Sequence, residues 1–108
     1  MQKPVRQVLN SISEYLQLKK YFFYRNNNTA VFDPARRCFR AMPKFAIKGV
    51  SDIVLLNKGV IWFIEVKNPA PNKTYQTPDQ KLFEDNVKLN GGKYLVARSI
   101  DDLITMGL

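Results

Sequence analysis

Nineteen residues in the middle of the chain, Gly49 to Lys67, read GVSDIVLLNKGVIWFIEVK and constrain the fold more than any other stretch. Two apolar runs, Ile53 to Leu56 and Val60 to Val66, flank Asn57-Lys58-Gly59, which is hairpin-turn chemistry. With Lys58 and Gly59 as a two-residue loop, Asn57 pairs with Val60, and counting outward sets Asp52 opposite Glu65. Residues opposite each other on an antiparallel pair share a face, with Cβ atoms roughly 4.5–5.5 Å apart. Lys67 lies two residues beyond Glu65, and the period of two returns it to the same face. A three-residue loop with a bulge at Gly59 would shift this register. On the two-residue count, two carboxylates and one ammonium converge at the open end of the hairpin.

Directly opposed carboxylates repel each other. A hard divalent cation between them turns that repulsion into coordination, because Mg²⁺ takes oxygen ligands from one or two carboxylates, waters and phosphates. A neighbouring lysine supplies positive charge for a phosphate oxygen or a metal-bound hydroxide. The plainer reading makes Asp52 a cap at the strand entrance and leaves Glu65 and Lys67 on a solvated edge. Against it, Glu65 and Lys67 interrupt an otherwise apolar strand near its end, where ligand sites of such sheets tend to open.

These residues carry a family resemblance. Asp52, twelve intervening residues and then Glu65-Val66-Lys67 resemble the D-x(n)-E-x-K core of the PD-(D/E)XK nuclease superfamily. The chain is similar in particular to the VRR-NUC (virus-type replication-repair nuclease) branch, free-standing phage and bacterial type. The matching stretches are KGVSDIVLL (Lys48 to Leu56), FIEVKNP (Phe63 to Pro69), TPDQKLFEDNVKLNGGKYLVARSIDDL (Thr77 to Leu103) and an N-terminal helix containing Glu14. The D-x(n)-E-x-K pattern recurs by chance in many proteins; the ordered set GVSD, IEVK, Q-x-x-F and GG-x-Y-x-V-A-R is far more specific. The sequence departs from the pattern in two places: Ser51-Asp52 stands for the Pro-Asp of the superfamily name, and Asn68-Pro69 follows the lysine where many members have Thr or Ser.

Composition bounds the chemistry. A chain of 108 residues is long enough for one core and not two, so residues 1–108 read as one domain. Seventeen Lys and Arg against nine Asp and Glu give a net charge of +8. That excess favours polyanions, nucleic acid first and anionic membrane second. No apolar run approaches the roughly 18 residues of a membrane span and no signal-peptide pattern opens the chain, which fits a cytosolic, cytoplasmic protein. One cysteine and no histidine leave no internal disulfide, no His-based catalysis and no zinc finger. Any chemistry runs on carboxylate, lysine, hydroxyl or amide groups.

Along the chain, Lys3 to Lys19 reads as an amphipathic helix, with Val5, Val8, Leu9, Ile12 and Leu16 at helical spacing and Pro4 in the first turn. Tyr21 to Arg25 is β-prone and stops at Asn26-Asn27-Asn28, and residues 31–42 suggest a second, irregular strand. Arg25, Arg36, Arg37, Arg40, Lys44 and Lys48, interleaved with Tyr24, Phe39 and Phe45, form a candidate nucleic-acid face, to which Lys73 in the later loop adds charge. A solvated basic surface over core aromatics is the plainer alternative. Cys38 reads as a small buried hydrophobe.

Residues 68–76 form a polar loop beside the hairpin. Thr77-Pro78-Asp79-Gln80 then starts a helix as N-cap, N1 and capping-box glutamine, and Gly91-Gly92 stops it. Phe83 and Val87 share its apolar face, with Leu82 and Leu89 alongside. Lys93 to Ala97 is a strand, and a strand–helix–strand unit predicts that it runs parallel to Val60–Val66. A short helix follows, with Asp101 and Asp102 placed as N-terminal charges.

The fold class is α/β. Its order, α-β-β-β-α-β-α around one mixed sheet flanked by helices, is also the restriction-endonuclease-like core that the resemblance implies. The resemblance further implies a Mg²⁺- or Mn²⁺-dependent endodeoxyribonuclease. Asp52, Glu65 and the backbone carbonyl of Val66 would hold the metal, with Glu14 adding a direct or water-mediated ligand. Lys67 would act on the attacking water or the transition state, and Gln80 would position the water or the metal's surroundings. Free-standing members of the family look like homodimers acting on four-way (Holliday) junctions, so branched DNA is the implied substrate and a second copy the implied partner. The competing expectations are a non-catalytic nucleic-acid-binding module and an accessory protein that needs a larger replication or repair complex. Charge alone does not separate DNA from RNA.

Overall fold

The computed structural model describes residues 5–26, 32–39, 44–69 and 75–108. Within them the elements run α1 (Val5–Leu18), β1 (Phe22–Arg25), β2 (Phe32–Asp33), β3 (Cys38–Phe39), β4 (Ile53–Asn57), β5 (Val60–Val66), α2 (Pro78–Leu89), β6 (Lys93–Ala97) and α3 (Ile100–Thr105). The main sheet has the order β1-β4-β5-β6. Its first three strands are antiparallel neighbours, and β6 lies parallel to β5, as a crossover through α2 requires.

Strand alternation sorts the side chains into two layers. Ile53 and Leu55 of β4, Trp62, Ile64 and Val66 of β5, and Leu95 and Ala97 of β6 face one way. They pack with Val8, Ile12 and Leu16 of α1, Leu103 of α3 and Leu108. The hydroxyls of Tyr15 and Tyr21 both donate to the Leu108 carbonyl at 3.0 Å, fastening the end of the chain under α1. Ile64 is fully buried at the centre, where truncation to alanine costs about 2–5 kcal/mol. The opposite layer is smaller: Phe83 and Val87 of α2 cover Tyr94, Phe63, Val96 and Val50. Phe83 meets Phe63 edge-on, with ring centroids 5.0 Å apart. Glu65, one step along β5 from Ile64, therefore points to the α2 side.

Two details differ from the sequence expectation. The second irregular strand is a separate two-stranded ribbon, β2 paired with β3, outside the main sheet. Leu82 and Leu89 do not join the buried face of α2 and are exposed; Glu84, one turn along from Gln80, is buried there instead. Among the described residues no helix is long and apolar enough to cross a membrane. Pro4, Arg40 and Lys73 lie outside the described residues.

Candidate active site

The turn sets the site. Lys58 (φ 51°) and Gly59 (φ 80°) are both left-handed, the requirement of a tight type I′ hairpin. Asn57 therefore pairs with Val60, and the ladder runs back to Ile53 opposite Ile64. One more step brings Asp52 opposite Glu65. Past the end of the ladder, the Val66 backbone N–H donates to Asp52 Oδ2 at 2.8 Å. Asp52 is held from behind as well, since the Asn26 N–H donates to its carbonyl at 2.7 Å. Ser51 is fully buried and donates its hydroxyl to the Ile53 carbonyl; a short polar side chain fits here where the superfamily name has proline.

Glu65 is 5% exposed. Its Oε1 accepts from Gln80 Nε2 at 3.0 Å, while Oε2 is buried with no hydrogen-bond partner. Burial, and then the charge of Asp52, push its carboxyl up to about 8 against the opposing pull of Lys67. An unpaired buried carboxylate oxygen is costly unless a proton or a cation meets it.

Lys67 continues the line of β5: its N–H donates to the Ala97 carbonyl at 3.0 Å. Its Nζ donates to Gln80 Oε1 at 2.9 Å and lies 3.8 Å from Glu65 Oε1. Gln80 reaches these partners from the first turn of α2. Thr77 Oγ1 accepts from the Gln80 N–H, and Gln80 Oε1 accepts from the Thr77 N–H, which closes the capping box. The same amide thus closes the capping box and ties Lys67 to Glu65. At the other end of α2 the Gly92 N–H reaches the Val87 carbonyl and the Gly91 N–H the Lys88 carbonyl, a Schellman stop with Gly91 left-handed.

No family model matches the sequence and no curated protein matches it. Solved structures do. One titled "VRR_NUC domain protein" superposes with a TM-score of 0.71 at 17% identity, covering 98% of this chain and 86% of that one. Another, titled "VRR_NUC domain", gives a TM-score of 0.63 at 19% identity over 93% of this chain and 89% of that one. The chain has the VRR-NUC fold. At these identities the likeness is one of fold, in keeping with the restriction-endonuclease-like α/β core expected from the sequence.

On this VRR-NUC fold, Asp52, Glu65, Lys67 and Gln80 come together, with the Val66 backbone between them. Glu14 is exposed on α1, a helix that packs on the other side of the sheet from α2. Among the described residues no group of three or more Asp, Glu, His or Cys is placed to hold a metal ion together. Arg25 donates to Asn10 at 3.1 Å, and Arg36, Arg37, Lys44 and Lys48 are exposed.

A second polar group beside the site escaped the sequence reading. Gln76 Nε2 donates to Glu84 Oε1 at 3.0 Å and to the Tyr94 hydroxyl at 3.3 Å. Lys88 Nζ donates to Glu84 Oε2 at 2.6 Å. Burial pushes Glu84 up, but hydrogen bonds from Lys88 and Gln76, with the charges of Lys88 and Lys81, outweigh it and hold the carboxyl below its ordinary value. Burial pushes the Tyr94 hydroxyl up to about 12, so it stays protonated. The foot of the loop before α2 is anchored here, and its start is anchored by Arg98, which donates to the Asn68 carbonyl at 2.6 Å. The Glu84–Lys88 spacing of four was a legible helical ion pair; nothing local marked Gln76.

Proposed function

We propose that this chain is a metal-dependent nuclease of the PD-(D/E)XK type that hydrolyses phosphodiester bonds in DNA. One observation carries the reading: on a VRR-NUC fold, Glu65 buries a carboxylate oxygen with no partner next to Asp52, inside a hydrogen-bonded chain from Lys67 through Gln80. The donor set fits a hard divalent cation, Mg²⁺ or Mn²⁺, because all of it is oxygen and the unpartnered atom needs a positive charge. Asp52, Glu65 and the Val66 carbonyl would hold the ion, with Glu14 contributing through water or directly. When bound, such an ion lowers the pKa of a water and neutralises charge on the scissile phosphate.

The chain's own residues do the rest. Asp52, fixed by the Val66 N–H, presents its carboxylate opposite Glu65. Gln80 fixes the orientation of both Glu65 and Lys67 through one amide. Lys67 orients the attacking water or stabilises the negative charge that develops on the phosphate. The exposed basic residues Arg25, Arg36, Arg37, Lys44 and Lys48 would bind the phosphate backbone. The substrate class we propose is branched DNA, cut by a homodimer, since two symmetry-related sites can sever two opposed strands of a two-fold junction.

The test is cleavage of a labelled four-way junction beside matched duplex and single strand, with Mg²⁺, Mn²⁺ or EDTA. Junction-selective, metal-dependent cutting lost in Asp52→Ala and Glu65→Ala is the expected result. Normal cutting by Glu65→Ala would sink the mechanism. Cutting of every substrate alike removes the junction from the proposal, and tight binding without cutting under either metal makes the chain a binding module.

A further inference from the structure

Two aromatic side chains on the loops that lead into the first turn of α2 are left uncovered. Phe45 is 90% exposed and Tyr75 is 80% exposed. Phe45 also sits at φ 69° in a turn, the left-handed region that is costly for a residue with a Cβ.

Both rings are tethered to the first turn of α2, the turn that carries Gln80. Gly49, four residues after Phe45, packs so closely on it that a Cβ there would meet the Asp79 backbone at 2.5 Å and the Gln80 nitrogen at 2.7 Å. Tyr75 lies two residues before the N-cap Thr77. Four residues of chain reach at most roughly 14 Å, so both residues lie on loops that lead directly into the first turn of α2.

Their surroundings say what they face. Lys44 Nζ lies 5.4 Å from the centroid of the Phe45 ring, and Lys44 and Lys48 are both exposed. The chain as a whole carries +8. Exposed aromatic rings, one of them edged by an ammonium group, on a strongly basic chain suit the π-faces of nucleobases strung on a phosphate backbone better than an apolar protein partner. In a continuous duplex those base faces are already stacked and closed to side chains. Only unpaired bases offer them.

We propose that Phe45 and Tyr75 are a stacking platform that holds unpaired bases of a DNA strand beside the phosphodiester presented to Asp52, Glu65 and Lys67. The platform selects substrates with unstacked nucleotides next to the cut. This deepens the nuclease reading and rests on it for the identity of the neighbouring site.

The experiment is binding in EDTA, with the full chain and no cleavage required. The probes are a continuous duplex and the same duplex with a short gap that leaves 2-aminopurine unpaired in the intact strand. The expected result is quenching of the 2-aminopurine on binding, together with a selective loss in the variants. Phe45→Ala and Tyr75→Ala each weaken gapped-DNA binding roughly five- to a hundredfold and duplex binding by no more than about twofold. Phe45→Trp and Tyr75→Trp keep the quenching and the preference, and Leu89→Ala, exposed at the far end of α2, changes nothing. Equal losses on both probes, no loss on either, or binding without quenching each overturn the platform. A chain that stacks the gap but never cuts with metal overturns the nuclease reading alone, and one that cuts without stacking overturns the platform alone.

Discussion

Lys67 Nζ and Glu65 Oε1 stand 3.8 Å apart, yet the hydrogen bond of Lys67 goes to Gln80 Oε1 at 2.9 Å, and Gln80 Nε2 returns to Glu65 Oε1 at 3.0 Å. The glutamine carries the contact between the two charged groups while closing the capping box with Thr77. These duties can be separated. Thr77→Ala removes the cap and leaves the Gln80 side chain free to hold Lys67 and Glu65, so unfolding free energy falls by about 1 kcal/mol and cleavage changes little. Gln80→Ala keeps the bond from the backbone N–H of residue 80 to Thr77 Oγ1 and loses the reciprocal bond from the Thr77 N–H together with the ties to Lys67 and Glu65. Stability therefore falls by no more than about 1 kcal/mol, while turnover falls at least roughly tenfold, as expected where positioned hydrogen bonds serve catalysis. Chemical denaturation and cleavage rates on the same two variants check this, and parallel rates would reduce Gln80 to a cap.

Two left-handed glycines predict different costs for one substitution. Gly59 (φ 80°) has open space where a Cβ would stand, so Gly59→Ala costs only the backbone term, about 1–2 kcal/mol. Gly49 (φ 78°) has the Asp79 carbonyl carbon and oxygen at 2.5 Å from that position. The loop before β4 cannot take Gly49→Ala without leaving α2, and its destabilisation should exceed that of Gly59→Ala. The readout is the thermal midpoint of each variant, and equal midpoints would mean the loop moves away freely.

Much of this was legible in the sequence because the signals were local. Lys58-Gly59 fixed one turn, and a turn with a period of two fixes every pair behind it, Asp52 and Glu65 included. Thr77, Pro78 and Gln80 spelled a helix start with no need of the sheet. What the sequence did not reveal depends on the layers closing. Glu84 drew no reading from its local sequence, and it is buried because the sheet and the loop before α2 close over it, with Gln76 bonding both Glu84 and Tyr94 of β6. Leu82 and Leu89, placed alongside the apolar face of α2 by their spacing, are left outside by the narrow α2 layer. Glu14 shows the limit from the other side: a carboxylate on a helix flank says nothing about which strand end it approaches, and the structure leaves it exposed.

Glu65 makes the stability of the metal-free protein fall with rising pH. Its carboxyl ionises at 4.5 in the open chain and, by burial first and Asp52 second, at about 8 in the fold. Between those values the unfolded chain has lost a proton that the folded chain keeps, so each step up in pH favours unfolding. Below 4.5 both states are protonated and the term vanishes; above about 8 both are ionised and the loss is complete. Glu65→Gln, which cannot ionise, should flatten this slope and be the more stable protein at alkaline pH. Denaturation midpoints across that window, taken in EDTA, decide it, and an unchanged slope in the variant would assign the effect to other groups.

The same proton must leave when a cation binds. A carboxyl ionising at about 8 is mostly protonated near neutral pH, whereas a metal ligand must be the carboxylate. Mn²⁺ binding near neutral pH should therefore release close to one proton, and the number should fall towards zero as the pH passes about 8. Affinity rises over the same range. Calorimetric titration in two buffers of different ionisation enthalpy counts the proton directly, without any nucleic acid or turnover. Glu65→Gln should lose most of the binding and all of the proton release. Binding that keeps wild-type affinity in this variant, or that releases no proton near neutrality, would place the metal away from the unpartnered oxygen of Glu65.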